Sequence, residues 1–208
     1  MELSLEKIAV WKDAYKGETA WILGSGPSLD ELPPEKVGPH RFALNLTILI
    51  EAYRDSWWIC RDGRAMKKWL YSNRSSCIGE DRRYADTLFT DHAGTRRVTE
   101  LDIGPEKLRR IVCTGQRFYT GETILVLALQ IADYMGFSEI VLAGVDLLDP
   151  GGVAYAKEIN WQSTFTAAAR PARYNRMRRD VARLSTAMNA KVWTVSPHLA
   201  DIFEEIKL

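Results

Sequence analysis

The feature of the sequence that most limits its fold is an almost wholly apolar run at residues 139–146, which reads EIVLAGVD. A continuous apolar run is typical of a parallel strand that is buried on both faces of its sheet. The preceding segment, residues 121–135, repeats apolar residues at helical spacing, and Gly136 follows as its end. These two segments predict a helix followed by a central strand, which is half of a βαβ unit.

Other apolar runs predict further elements on both sides of this half-unit. We expect strands at residues 19–23, 41–45, 56–60 and 191–195, and shorter strands at 75–78, 87–90 and 110–113. A short helix is predicted at 63–71, and a second long helix contains Tyr174, Met177, Val181, Leu184 and Met188 at helical spacing. This alternation predicts an α/β fold with a Rossmann-like, mostly parallel, doubly wound sheet. An antiparallel insert in the middle of the chain stays open.

Length, composition and charge limit the organisation of the protein. With 208 residues and 46% hydrophobic content, the chain is long enough to bury a sizeable core. No Pro-, Ser- or Gly-rich linker, repeat or low-complexity segment divides it, so we expect a single domain over residues 1–208. A formal net charge of +1 argues against a surface shaped as a whole for nucleic acid, because such domains carry a marked basic excess.

Cysteine spacing and hydropathy bear on disulfides, metal and location. Cys60, Cys77 and Cys113 are odd in number and widely spaced, which favours neither a disulfide framework nor a zinc site. The first residues do not combine a basic segment with an apolar one, and no apolar run approaches the ~18 residues of a membrane span. We therefore expect a cytoplasmic protein without a membrane span.

The first predicted strand ends in a glycine turn formed by Gly24, Ser25, Gly26, Pro27 and Ser28. Two glycines let a ligand approach the backbone, and Ser28 is placed to cap a helix or to donate to a phosphate. The turn lacks the third glycine of the dinucleotide-binding fingerprint and the lysine of a P-loop. A plain strand-to-helix connection, with Ser28 as its N-cap, therefore stays open beside ligand binding.

Polar residues also end three other predicted strands. Asn45, Asp62 and Asp146 stand at these positions, and open α/β sheets bind ligands at the carboxyl ends of their strands. The two aspartates could orient a sugar or base hydroxyl, bind a metal or act as a base, and equally each could only cap a turn. No Asp-x-Asp pair is present, so a metal site has no direct support.

Two further segments carry groups suited to an anion. Thr120 and Gly121 precede the strongest predicted helix, whose free N–H groups and dipole favour negative charge; the alternative is that Thr120 only caps this helix. Arg170 and Arg173 belong to a basic segment, residues 170–179, which would neutralise a diphosphate, a carboxylated sugar or an acceptor phosphate. The alternative for this segment is a solvated helix face balanced by nearby acids.

With these pieces in this order, the chain resembles the superfamily that joins bacterial CMP-sialic-acid-dependent sialyltransferases, motility-associated flagellin glycosyltransferases and archaeal 6-hydroxymethylpterin diphosphokinase-like proteins. The pieces that carry the resemblance are residues 24–29, Asn45, residues 120–121, residues 132–146 and residues 195–197. They span most of the chain, and residues 132–146 are the more specific part.

The resemblance implies roles for individual residues. It implies a nucleotide pocket lined by Gly24, Ser25, Gly26, Ser28, Asn45, Asp62, Thr120 and Gly121, with Tyr155 on a phosphate. Ser25 stands where the sialyltransferase branch commonly has asparagine. Residues 163–170 contain no histidine, although that branch has its catalytic histidine in the corresponding region. The acceptor would then be deprotonated by another group or activated in a different way.

We expect a nucleotide-sugar-dependent glycosyltransferase-like enzyme with a CMP- or UDP-type donor, no further cofactor, and Asp146 or Asp62 orienting the reacting hydroxyl. A second hypothesis is a pterin-type diphosphokinase that uses ATP and Mg²⁺, with Asp62, Asp146 and Asp149 as metal ligands. A third hypothesis is a non-catalytic module that binds a nucleotide or a protein partner. The sequence does not identify the acceptor, and a homo-oligomer stays open.

Overall fold

The computed structural model describes residues 11–60, 88–89, 95–96, 118–119, 123–147, 156–157, 159 and 170–207. Its strands are β1 (Thr19–Leu23), β2 (Arg41–Leu44), β3 (Trp57–Cys60), β4 (Leu88–Phe89), β5 (Thr95–Arg96), β6 (Phe118–Tyr119), β7 (Glu139–Ala143), β8 (Lys191–Thr194) and β9 (Glu204–Glu205). The α-helices are α1 (Ile124–Tyr134) and α2 (Arg170–Ser185). Short 3₁₀ helices cover Pro27–Glu31, Pro34–Lys36, Asn45–Leu49, Glu51–Tyr53 and Pro197–Leu199.

Seven of these strands form one sheet in the order β4-β3-β2-β1-β7-β8-β9, and β5 pairs with β6 separately. All strand pairs in the described part of the chain are parallel. The chain passes outward from β1 to β4 and then returns to add β7, β8 and β9 on the other side of β1. The prediction of an α/β, Rossmann-like, parallel and doubly wound sheet is therefore confirmed, and the strand order reverses between β1 and β7.

Alternation along the strands divides the interior into two hydrophobic clusters. On β7, Ile140 and Leu142 belong to the cluster that also contains α1 and the buried side of α2. The intervening Val141 and Ala143 belong to the second cluster, which is covered by 3₁₀ helices and by Ala156. The strand is thus buried on both faces, as its continuous apolar run predicts.

Helix α1 is buried along its whole length, and both of its ends are capped. Thr123 is the N-cap, and its side-chain oxygen accepts a hydrogen bond from the amide of Leu125 at 3.3 Å. At the other end, the amides of Gly136 and Phe137 donate to the carbonyls of Asp133 and Ala132 at 3.0 and 3.3 Å. This is a Schellman motif, and Gly136 supplies its left-handed residue at φ +89°.

The structure corrects several sequence-based boundaries. The strand predicted at residues 19–23 is confirmed, whereas those predicted at 41–45 and 139–146 end earlier, because Asn45 and Gly144 turn the chain at φ +49° and +65°. The 3₁₀ helices and the exposed strand β9 were not predicted, since they lack an apolar repeat. The predicted elements at 63–71, 75–78 and 110–113 lie outside the described residues.

A buried acid, Asp133, joins α1 to the loop between α2 and β8. Its Oδ1 accepts hydrogen bonds from the amides of Asn189 and Ala190, each at 2.8 Å. Its Oδ2 is buried and has no hydrogen-bond partner within the described segments. Burial raises the pKa of the Asp133 carboxyl, although the two amide hydrogen bonds act in the opposite direction.

Replacing Asp133 by Asn keeps an oxygen acceptor for both amides and removes the buried charge. Because the pKa is raised above 3.8 in the folded state, the free-energy penalty of ionisation is absent below the unfolded pKa and complete above the folded one. We therefore expect the stability of Asp133→Asn relative to the unchanged protein to increase as the pH rises from below 3.8 through the raised pKa of Asp133, measured by denaturant unfolding.

The matched control is Asp133→Ala, which removes both acceptors. Each buried amide that loses its partner costs roughly 1–3 kcal/mol, so this variant should be less stable than Asp133→Asn across the pH range. A difference between Asp133→Asn and the unchanged protein that is independent of pH would show that burial of the charge has no effect on folding.

Candidate functional site

The candidate site lies where the strand order reverses, beyond the carboxyl ends of β1 and β7. In open α/β sheets this reversal separates the connections that leave neighbouring strands, and ligands bind in the resulting crevice. The residues that follow β1 are the predicted glycine turn, and those that follow β7 include Gly144 and Asp146. The geometry of these two turns determines which groups are free for a ligand.

The turns after β1 and β7 are hydrogen-bonded to each other. The amide of Gly24 donates to the carbonyl of Ala143, and the amide of Gly26 donates to the carbonyl of Gly144, each at 2.7 Å. A Cβ atom on Gly24 would overlap the carbonyl oxygen of Gly144 and lie 2.9 Å from Cγ2 of Val145. The glycines are therefore required for the close approach of the two turns, a packing role that the sequence pattern does not predict.

Asp146 links the two turns through its side chain. Its carboxylate is buried, with the residue 9% exposed, and Oδ2 accepts a hydrogen bond from the amide of Ser28 at 3.1 Å. Its Oδ1 accepts a hydrogen bond from the hydroxyl of Ser196 at 2.7 Å. Both oxygens are thus engaged, and the arrangement is the turn-capping alternative that the sequence left open. A catalytic role of Asp146 stays a prediction.

Two polar groups of the first glycine turn stay available. The hydroxyl of Ser28 is buried and accepts or donates no hydrogen bond within the described part of the chain. The amide of Ser25 likewise has no partner among those residues, whereas the Ser25 carbonyl accepts a hydrogen bond from the amide of Ala156 at 2.9 Å. An unsatisfied buried hydroxyl is uncommon, and it indicates a place where a ligand or water completes the hydrogen bonding.

Asn45 lies beside this turn at the end of β2. Leu23 of β1 pairs with Ala43 of β2. Ser25 and Asn45 each lie two residues beyond this pair and are therefore at the same level of the sheet. The backbone of Asn45 is held in the left-handed region at φ +49°, and its carbonyl accepts a hydrogen bond from Nε1 of Trp58 at 2.7 Å. Its side-chain amide is not engaged by any other described residue. Backbone strain of this kind often accompanies binding sites.

Both α-helices begin at this edge of the sheet, because α1 leads into β7 and α2 leads from β7 into β8. The N-cap of α1 is Thr123, so the alternative in which Thr120 caps this helix is wrong. Asp62, Thr120, Gly121 and Tyr155 lie outside the described residues, and their predicted roles stay predictions.

The basic segment forms α2, and its parts differ in role. Arg170 and Arg173 lie in the first turn, at the edge that carries the candidate site. Further along, Arg178 donates to the carbonyl of His198 at 2.7 Å and to Oδ1 of Asp201 at 2.5 Å. The hydrogen bond from Arg178 lowers the pKa of the Asp201 carboxyl. Arg178 thus attaches the helix to the C-terminal segment, and Asp201 balances its charge.

Sequence reasoning gave no role to Ser196, whose hydroxyl completes the environment of Asp146, although residues 195–197 carry part of the resemblance. The signal was present, since Ser196 directly follows the last predicted strand and Asn45 ends the second. His40 pairs with Glu18 through their side chains. The two residues precede β2 and β1, so this pair lies at the edge of the sheet opposite the candidate site.

Within the described ranges, His, Cys, Asp and Glu form no group of three or more that could hold a metal. No helix in those ranges is long and apolar enough to cross a membrane.

The chain is similar to some solved structures at low sequence identity. One is the sialyltransferase CstII from Campylobacter jejuni in complex with a substrate analogue, cytidine-5'-monophosphate, at 13% identity and a TM-score of 0.38, over 90% of this chain and 84% of that chain. Another is the sialyltransferase CST-II in complex with a trisaccharide acceptor and CMP, at 13% identity and a TM-score of 0.39, over 89% and 85%. No family model and no curated protein sequence matches the chain.

Replacing Gly26 by Ala tests the close packing of the two turns. The backbone of Gly26 is extended, so alanine is allowed there, but its Cβ would overlap Oδ2 of Asp146 and lie 2.8 Å from the carbonyl oxygen of Gly144. We expect a loss of roughly 1–3 kcal/mol in denaturant unfolding, as for other overpacked positions. In an Asp146→Ala background the added loss should be smaller, and fully additive losses would contradict the packing described.

Proposed function

We propose that this protein binds a nucleotide sugar at the carboxyl ends of β1 and β2 and transfers the sugar to an acceptor. The observation that carries the proposal is the unsatisfied hydroxyl of Ser28, together with the free amide of Ser25, at the point where the strand order reverses. Asn45 supplies a side-chain amide beside them, able to donate and to accept. These groups suit the phosphate and the ribose or base of a nucleotide.

The charge of the donor phosphate requires additional donors. The first turn of α1 has the N-cap Thr123, and the free backbone amides of a helix start favour an anion. Arg170 and Arg173, in the first turn of α2, supply positive charge at the same edge. A guanidinium binds a phosphate through paired N–H groups and stabilises the charge that develops on it as a leaving group.

The proposed reaction is a displacement at the anomeric carbon of the donor sugar. The acceptor hydroxyl forms the new carbon–oxygen bond and gives its proton to a base, while the bond between the sugar and the nucleotide phosphate breaks. Asp146 or Asp62 orients the reacting hydroxyl, and Asp146 also keeps the glycine turn in place through its hydrogen bond from the amide of Ser28. The alternative that uses ATP and Mg²⁺ would need metal ligands from Asp62, Asp146 and Asp149.

A thermal-shift panel tests the pocket directly. We expect CMP, CDP, CTP or UDP to raise the melting temperature without Mg²⁺. A ligand present at a hundred times its Kd raises the free energy of unfolding by about 2.7 kcal/mol. The stabilisation should persist in EDTA. A response confined to ATP with Mg²⁺ would favour the diphosphokinase, and no response to GDP, ADP, ATP or the four pyrimidine nucleotides at millimolar concentration would refute the pocket.

The proposed phosphate contact from α2 has a matched control on the same helix. Arg170→Ala removes a positive charge at the start of the helix, and Arg183→Ala removes one at its other end. We expect Arg170→Ala to weaken binding of the preferred nucleotide about tenfold, with a smaller dependence of Kd on salt, and Arg183→Ala to leave both unchanged. Equal titration curves for the two variants would mean that Arg170 does not face the ligand.

A further inference from the structure

We propose that Ser196 is a positioning residue, which acts through Asp146 to hold the hydroxyl of Ser28 against the phosphate of the bound nucleotide. The inference rests on the proposed function and deepens it, since it assigns a role to a residue that never touches the ligand. It concerns a line of hydrogen bonds that crosses the ends of three adjacent strands, β8, β7 and β1.

The line begins at the end of β8. Ser196 is fully buried, at 0% exposure, and its hydroxyl donates to Oδ1 of Asp146 at 2.7 Å. The other carboxylate oxygen of Asp146 accepts the amide of Ser28 at 3.1 Å. The position of the Ser28 backbone, and with it the position of the unsatisfied Ser28 hydroxyl, thus depends on a carboxylate that Ser196 holds from the far side.

Ser196 is itself fixed by a local contact. Its amide donates to the side-chain oxygen of Thr194 at 3.0 Å, and the Thr194 hydroxyl donates to the carbonyl of Ser196 at 3.3 Å. Thr194 is fully buried in β8. The donor to Asp146 is therefore attached to the sheet and not to a mobile loop, which suits a residue that sets the position of another group.

Loss of the Ser196 hydroxyl would leave Oδ1 of Asp146 buried without a donor. A buried carboxylate oxygen without a hydrogen bond is costly, so the carboxylate should move toward another donor or admit water. The amide of Ser28 would follow or lose its acceptor, and the Ser28 hydroxyl would leave the phosphate.

The experiment separates the phosphate contact from general damage to the pocket. We would measure the Kd of CMP and of cytidine by calorimetry, or of UMP and uridine if the nucleotide panel selects uridine, for the unchanged protein and for Ser196→Ala. The ratio of nucleoside Kd to nucleotide Kd reports the contribution of the phosphate. We expect this ratio to fall about tenfold in Ser196→Ala, as for one lost hydrogen bond to a charged group, with the nucleoside Kd unchanged.

Four further variants sharpen the result. Ser138→Ala removes a serine hydroxyl that donates to the carbonyl of Glu18 at the opposite edge of the sheet, and it should leave the ratio unchanged. Ser28→Ala should lower the ratio as Ser196→Ala does, and the double variant should fall no further, because both act on one contact. If Ser196→Ala does not fold, Ser196→Cys replaces it, with similar volume but a weak donor.

The outcomes distinguish this inference from the proposed function. If the unchanged protein binds none of the nucleotides, the proposed function fails and the inference fails with it. If the protein binds CMP more tightly than cytidine and the Ser196 variant keeps the same ratio, the inference alone is overturned. Equal weakening of nucleoside and nucleotide would also overturn it, since this is the effect of a purely structural residue.

Discussion

Two glycine turns, one after β1 and one after β7, approach each other closely and hold the centre of the sheet together. Their contact continues the pairing of the central strands beyond the regular sheet, through the amide hydrogen bonds from Gly24 and Gly26. Each turn excludes a side chain from the other, because added Cβ atoms would meet backbone. The sheet can therefore reverse its strand order without opening a gap at its centre, and the candidate site is displaced toward β2, where Ser25 and Asn45 lie at the same register level.

The sequence predicts the fold well because burial on both faces of a parallel strand leaves a direct pattern. The apolar run that ends at Ala143, the helix before it and the strand at Thr19–Leu23 all follow from hydrophobic periodicity and glycine position. The 3₁₀ helices and β9 could not be predicted in this way. Their hydrogen bonds are local or at an edge, and Glu204 and Glu205 are exposed, so no apolar repeat is needed to form them.

The candidate site is predicted less completely, and Gly26 and Asp146 show why. The type of a residue indicates which contacts it is able to make. The sequence does not indicate which neighbour the residue contacts in the fold. Gly26 was expected to admit a ligand, and its missing side chain makes room for the carboxylate of Asp146. Asp146 was expected to face a substrate hydroxyl, and it accepts hydrogen bonds from Ser28 and Ser196. These partners are far away in the chain and meet only through the order of the strands.

The two buried aspartates differ in how their carboxylate oxygens are hydrogen-bonded. Asp133 has two amide donors on one oxygen and none of the described residues on the other, and burial raises the pKa of its carboxyl. Asp146 divides its donors, with one on each oxygen. A carboxylate with both oxygens engaged holds its partners in fixed positions. Asp146 therefore fixes the Ser28 amide and the Ser196 hydroxyl relative to each other, and this connects the ends of β1, β7 and β8 beside the candidate site.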